Sequence, residues 1–325
     1  MALPLVLLTH PLPQDWVASL QGRVRLLIGR AERPGFGLQL LEQLPEAEGI
    51  VSMLIDRVDD ALLSRAPRLR VVSNYAVGYD NIDVTACTRR RIPVGNTPGV
   101  LTDATADLAM TLLLTCARGT VKAATDARSG LWRAWTPTGW LGADLRGATL
   151  GIIGMGKIGR AVAERAKGFG LNIVYFKPNR DRSIESALGA RYLPLDDLLR
   201  ESDFVSLHCP LTRETLGLIN EAALQKMKRT AILVNTARGP VVETAALVRG
   251  LKEGWIAGAG IDVTDPEPLP AGHPLYDLPN CLVVPHIGSA THGTRRRMAE
   301  MACENLLAGL DGRRLPHCVN REVYG

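Results

Sequence analysis

The stretch Thr149-Leu150-Gly151-Ile152-Ile153-Gly154-Met155-Gly156-Lys157-Ile158-Gly159-Arg160 decides the fold. An apolar run, Thr149–Ile153, enters three glycines spaced GxGxxG, and a helical pattern, Lys157–Phe169, leaves them. The spacing alone says little, because the chain holds 32 glycines. A strand running in and a helix running out give each glycine a task. Gly154 permits the tight turn, Gly156 lets the backbone approach a pyrophosphate, and Gly159 lets helix and strand pack closely. The N–H groups at the helix start, where Lys157 and Ile158 lie, then face phosphate oxygens. A close helix–strand crossing with no ligand is the competing reading, and the context weighs against it.

The next strand, Asn172–Phe176, ends at Lys177-Pro178-Asn179-Arg180. Lys177 stands 18 residues after Gly159. An NAD-preferring fold puts Asp or Glu about 20 residues on, to grip the ribose hydroxyls. Here a Lys and an Arg flank Asn179 instead. Each would attract a 2′-phosphate through charge-assisted hydrogen bonds of about 1.5–3 kcal/mol. NADP(H) is therefore expected in preference to NAD(H); plain solvated loop charges are the alternative. Regional charge agrees. Residues 151–200 hold 9 basic and 5 acidic side chains, against 1 and 5 in residues 251–289.

Outward from the glycine motif, short apolar runs alternate with helical patterns. Strands are expected at Leu5–Thr9, Gly49–Leu54 and Leu69–Ala76. A second series covers Thr149–Gly154, Asn172–Phe176, Phe204–Cys209, Ala231–Ala237, Ile256–Val263 and Cys281–His286. Long helices are expected at Leu101–Ala117 and Arg295–Leu310. The alternation predicts an α/β protein of doubly wound parallel sheets, with ligands beyond the carboxyl ends of the strands.

Composition excludes other classes. With 325 residues, 46% hydrophobic and 22% charged, about two packed domains are expected and a disordered chain is not. The formal charge of +5 has no basic tail or dominant block, so no nucleic-acid surface is expected. Six cysteines without a CxxC pair suit reduced thiols and a cytoplasmic location. The N-terminus reads as a first strand rather than a signal peptide, and no stretch reads as a membrane span. No cluster suggests a metal.

Three residues fall at strand ends or in loops of the second series: Arg238, Glu267 and His286. Their chemistry suits reduction of a 2-oxo acid. A guanidinium holds a carboxylate or carbonyl oxygen with its fork of donors. An imidazolium delivers a proton to oxygen as hydride reaches carbon. A carboxylate bonded to that imidazole favours its charged form and fixes its orientation. Each residue alone could be a surface ion pair, a solvated loop group or a structural donor; the combination carries the reading.

These segments resemble the D-isomer-specific 2-hydroxyacid dehydrogenase family, particularly its glyoxylate/hydroxypyruvate reductase branch. The likeness runs nearly the whole chain, through Ala76-Val77-Gly78-Tyr79-Asp80-Asn81-Ile82-Asp83, Gly95-Asn96-Thr97-Pro98-Gly99-Val100-Leu101-Thr102, the glycine motif, Asn235-Thr236-Ala237-Arg238-Gly239, Asp262-Val263 to Glu267-Pro268, and Pro285-His286-Ile287-Gly288-Ser289-Ala290-Thr291. The resemblance implies that Arg238 binds substrate, His286 is the acid/base and Glu267 its partner. Backbone N–H groups of Val77 and Gly78 would hold the substrate carboxylate, with Leu54 lining the substrate site. Asp262 would contact the nicotinamide amide. Thr102, His208, Pro210, Thr215, Thr236, Ala237, His286 and Gly288 would line the cofactor.

It further implies two domains, Rossmann-like and flavodoxin-like, with a cleft between them. The substrate domain would be discontinuous, residues 1–98 and 290–325, around a dinucleotide domain of residues 99–289. A homodimer would form through an arm near residues 101–147, in which Trp140 either packs or reaches the partner's active site. Other readings stay open. Another 2-oxo acid such as 2-oxogluconate is possible chemistry. Phosphite dehydrogenases carry a Lys where this chain has Val77, which weighs against phosphite. A dinucleotide-sensing corepressor-like binding protein would be expected to carry longer flanking tails. A methyltransferase leaves Arg238, Glu267 and His286 unexplained together.

Overall fold

A computed structural model describes residues 2–30 and 35–325. The chain divides into two compact units, Met1–Leu101 with Ala290–Gly325, and Thr102–Ser289.

The first unit holds a five-stranded parallel sheet of β1 (Leu5–Leu8), β2 (Arg25–Ile28), β3 (Gly49–Ser52), β4 (Val71–Asn74) and β5 (Val94–Gly95). Their order, β2-β1-β3-β4-β5, is that of the flavodoxin-like doubly wound fold. β1, β3 and β4 are buried throughout, as expected of strands covered on both faces. The helix His292–Leu310 returns the chain to this sheet. Its Ala302, Cys303, Leu306 and Leu307 pack with Val6, Leu8, Val51 and Val71. That packing makes the unit discontinuous in sequence.

The second unit holds β6 (Thr149–Ile153), β7 (Asn172–Phe176), β8 (Arg191–Tyr192), β9 (Phe204–Leu207), β10 (Ile232–Asn235), β11 (Gly258–Ile261) and β12 (Cys281–Val283). All pairs are parallel, in the order β12-β11-β10-β9-β6-β7-β8. This is the dinucleotide-binding order with one strand added, and strand order reverses between β6 and β9. The apolar helix Thr102–Arg118 covers the sheet, burying Ala106, Ala109, Met110, Leu112 and Leu113 with Leu150, Ile152 and Val234. Three strands absent from the sequence reading, β2, β5 and β8, are all edge strands.

Among the described residues, no helix is long and apolar enough to cross a membrane.

Candidate active site

Gly154 follows β6 at the point where strand order reverses, with φ of +97°. A Cβ there would lie 2.4 Å from the Cys209 nitrogen and 2.5 Å from the His208 carbonyl carbon. The turn after β6 thus lies directly on the segment after β9, and only glycine fits. A Cβ at Gly159 would meet the Gly154 oxygen at 2.4 Å. Gly156 differs, because a Cβ there would meet nothing within 4 Å. Its freedom is toward open space, where a ligand backbone can approach. Gly156 is also the N-cap of the helix Lys157–Gly168, and no side chain caps that end. The first N–H groups, including those of Lys157 and Ile158, lack helical partners and suit an anion.

The segment after β9 holds His208, Pro210 and Thr215. His208 Nε2 lies 2.8 Å from Ser206 Oγ, and Nδ1 lies 3.4 Å from Thr236 Oγ1. Burial pushes its pKa down to about 3, so burial favours the neutral imidazole. Thr215 Oγ1 donates to Pro210 O at 2.6 Å and accepts from Thr212 N at 2.8 Å, which closes this loop.

After β7, Asn179 is exposed, while the two cations have acidic neighbours. Arg180 makes a two-pronged bond to Glu185, 2.7 and 2.8 Å. Lys177 Nζ is 3.6 Å from Asp181 Oδ2, which Arg160 also reaches at 3.3 Å. Asp181 caps the helix Arg182–Leu188. The cations stand at the strand end, as the sequence reading has them, but that reading gave these carboxylates no part.

The groups expected to carry the chemistry follow the carboxyl ends of three neighbouring strands. Arg238 follows β10, Asp262 and Glu267 follow β11, and His286 follows β12. His286 Nδ1 meets Glu267 Oε1 at 2.6 Å, and the Thr264 N–H donates to Glu267 Oε2 at 3.1 Å. The two side chains are 25% and 27% exposed. Among the described residues, His286 Nε2 has no partner, so it is the atom available to a substrate. Burial alone would raise the Glu267 pKa. The His286 bond and charge, the Thr264 N–H and the Arg238 charge outweigh it and hold the carboxyl below its ordinary value.

The backbone of His286 is left-handed, φ +50°, a conformation costing a non-glycine residue about 1–3 kcal/mol. Its surroundings enforce it. His286 N–H bonds to Asp262 O at 2.9 Å. The Asp262 carboxylate accepts from Ile287 N at 2.6 Å and Gly288 N at 2.9 Å. Asp262 is 2% exposed, and burial pushes its pKa up despite these bonds. The residue expected to touch nicotinamide therefore also holds the backbone that aims the His286 imidazole, a task that sequence spacing does not reveal.

Asn235 plays the same part for Arg238. Its side chain accepts from Ala237 N at 3.0 Å and donates to Arg238 O at 2.9 Å, clasping the turn Thr236-Ala237-Arg238. Arg238 Nη1 donates to Ala237 O at 2.8 Å. Gly239 then crosses the next loop so closely that a Cβ would lie 1.9 Å from Thr264 O. Gly239→Ala is expected to lose about 1–3 kcal/mol in urea unfolding, and to lose activity by displacing the loop that carries Glu267. Unchanged stability would show that the crossing is loose.

In the first unit, Leu54 is half-buried in the loop after β3, and Val77 and Gly78 lie in the loop after β4. Each unit thus presents its assigned groups beyond the carboxyl ends of its own strands.

Comparison with known proteins bears on this geometry. A family model described as D-isomer specific 2-hydroxyacid dehydrogenase, NAD binding domain, matches residues 110–288. The chain belongs to the D-isomer-specific 2-hydroxyacid dehydrogenase family. The glyoxylate reductase of Korarchaeum cryptofilum is 50% identical over 321 residues, spanning 98% of this chain and 97% of that one. Among solved structures, a protein from Thermus thermophilus is 49% identical, with a TM-score of 0.90, covering 97% of this chain and 99% of its own. The NADPH-dependent glyoxylate/hydroxypyruvate reductase of Sinorhizobium meliloti, solved with NADP and malonate, is 32% identical, with a TM-score of 0.86, covering 98% and 97%. Within the family, these likenesses place the dehydrogenase in the glyoxylate reductase branch.

Proposed function

We propose that this protein reduces small 2-oxo acids, glyoxylate and hydroxypyruvate, to glycolate and D-glycerate with NADPH. The observation that carries the reading is the His286–Glu267 pair at 2.6 Å, with Nε2 left open and the Arg238 charge felt at Glu267. The glyoxylate reductases similar over nearly the full chain support the substrate class.

The residues present fit a dinucleotide. Gly156 leaves room for the pyrophosphate at an uncapped helix end, and Gly154 and Gly159 allow the close backbone packing that shapes this turn. Thr102, His208, Pro210, Thr215, Thr236, Ala237, Asp262 and Gly288 are assigned to the rest of the cofactor. Bound NADPH supplies the hydride for the 2-carbon. Arg238 binds the carboxylate and carbonyl oxygens of the substrate, and Val77 and Gly78 N–H groups hold the carboxylate beside Leu54. His286 Nε2–H gives its proton to the oxygen that becomes the hydroxyl. Glu267 stabilises the imidazolium before transfer and keeps the ring in place. Chiral analysis of the product from hydroxypyruvate tests this reading. D-Glycerate is expected; L-glycerate, or no reduction, would overturn it.

The NADPH preference rests on Lys177 and Arg180. A 2′-phosphate would compete with Asp181 and Glu185 for them, and Arg180 is 55% exposed and able to turn. Lys177→Asp is expected to shift the NADPH/NADH ratio of kcat/KM toward NADH by about 10- to 100-fold, the worth of one charge-assisted contact. An unmoved ratio would remove Lys177 from phosphate recognition.

The substrate role is assigned to residues 1–98 and 290–325 and the dinucleotide role to residues 99–289. A homodimer is the assembly we favour. Leu131, Trp132, Trp135 and Leu141 are 59–82% exposed within one short segment, an apolar surface suited to a second copy. Trp140 is held at that segment by donating to Asp126 at 2.9 Å. The unpaired thiols suit the cytoplasm, and burial pushes those of Cys87 and Cys281 up to about 12.

A further inference from the structure

We infer that three side-chain amides, those of Asn74, Asn81 and Asn96, are positioning residues that build the carboxylate cradle of the first unit and tie the Leu54 loop to it. The inference rests on the reading that Val77 and Gly78 hold the substrate carboxylate.

Three consecutive carbonyls after β4 are pinned. Thr97 N donates to Ala76 O at 2.9 Å, Asn96 Nδ2 to Val77 O at 2.8 Å, and Asn74 Nδ2 to Gly78 O at 2.8 Å. None of these peptide bonds is cis. In a planar trans peptide the carbonyl and the following N–H point to opposite sides. Pinning the three oxygens therefore turns the N–H groups of Val77, Gly78 and Tyr79 the other way. Among the described residues, none of these three N–H groups has an acceptor. Consecutive free N–H groups backed by bonded carbonyls form an anion-binding concavity, and Tyr79 adds a third donor to the expected pair.

Asn81, joined to Asn74, reaches the Leu54 loop. Asn81 Nδ2 donates to Met53 O at 3.0 Å and Asp56 O at 2.9 Å, on either side of Leu54 and Ile55. Asn81 Oδ1 accepts from Asn74 Nδ2 at 3.2 Å, and Asn74 Oδ1 accepts from Ser52 Oγ at 3.0 Å. Asp56, 1% exposed, closes the loop by accepting from Met53 N at 2.6 Å and from Thr9 Oγ1. Both N–H bonds of each of these two amides are used. The substrate's carboxylate donors and the apolar contact from Leu54 therefore share one rigid frame. An ordinary structural asparagine would support one turn; Asn81 and Asn74 together join two loops that are more than 20 residues apart in sequence.

The test compares glyoxylate with its neutral isostere glyoxylamide at saturating NADPH, in the wild type, Asn81→Ala and Asn96→Ala. The wild type is expected to favour glyoxylate by about 100-fold in kcat/KM, since only the anion gains charge-assisted bonds. Each variant should lose about tenfold of that preference, through a raised KM for glyoxylate with kcat changed less than about threefold. Asn96 is partly exposed and stands outside the Asn74–Asn81 pair, so its variant carries the test should Asn81→Ala fold poorly. Variants that lose activity equally on both substrates would make the amides structural only and overturn the inference. A wild type that does not prefer glyoxylate would instead overturn the carboxylate reading on which it rests.

Discussion

A His286→Asn enzyme is expected to fold, to lose about 10²- to 10⁴-fold in kcat, and to change far less in NADPH affinity. The exchange is chosen for the backbone. His286 has φ of +50°, and Asn accepts the left-handed region better than most residues. The bonds that shape the turn come from backbone N–H groups to Asp262, so they survive the exchange. What is lost is the Nε2–H donor proposed to protonate the substrate oxygen. Near-wild-type kcat would refute the acid role. Glu267→Gln should cost less, because an amide can still orient the ring but does not stabilise its charge. Glu267 is held below the ordinary carboxylate range, so it remains ionised at mildly acidic pH. Its support for the imidazolium should fail only as pH falls through that lowered value.

The second large effect is expected at Arg238. Arg238→Gln should lower kcat/KM for glyoxylate by about 10²- to 10⁴-fold, the worth of two charge-assisted bonds to a substrate anion. Arg238→Lys should recover only part of this, because an ammonium restores the charge but not the planar fork. Asn235 grips the Arg238 carbonyl and not its guanidinium, so the backbone turn should persist in both variants. NADPH affinity, measured by fluorescence titration, should stay within about threefold, since the arginine is assigned to substrate and not to phosphate. A variant whose KM and kcat both match the wild type would take Arg238 out of the site.

Much of this architecture was legible in the sequence, for identifiable reasons. Strands buried on both faces, such as β1, β3, β9 and β10, are continuous apolar runs and read directly. The missed strands lie at sheet edges. β2 is half-exposed, Arg25 to Ile28, and β5 and β8 are two residues each, too short to show a pattern. The trio Arg238, Glu267 and His286 could be picked out because each is a chemically distinctive residue at an expected strand end or in the loop beyond it, and the structure brings His286 and Glu267 to 2.6 Å. Its supports could not be. Asp262 and Gly239 act through backbone groups brought near by tertiary crossings, and spacing carries no trace of that; Asn235 acts locally, on the Ala237 N–H and the Arg238 carbonyl of its own turn. The amides of Asn74 and Asn81 are hidden in the same way, since their partners Met53 and Asp56 lie on another loop. At the ribose loop the sequence showed the cations but not how Glu185 and Asp181 meet them, which depends on the cap of the helix that follows.

The central claim is that this chain reduces a short 2-oxo acid with NADPH. It is tested most directly by initial rates of NADPH and NADH oxidation with glyoxylate, hydroxypyruvate, pyruvate and 2-oxogluconate at one pH. The account predicts the highest kcat/KM for glyoxylate or hydroxypyruvate with NADPH. Turnover with NADH alone, or none with any of the four acids, would contradict it.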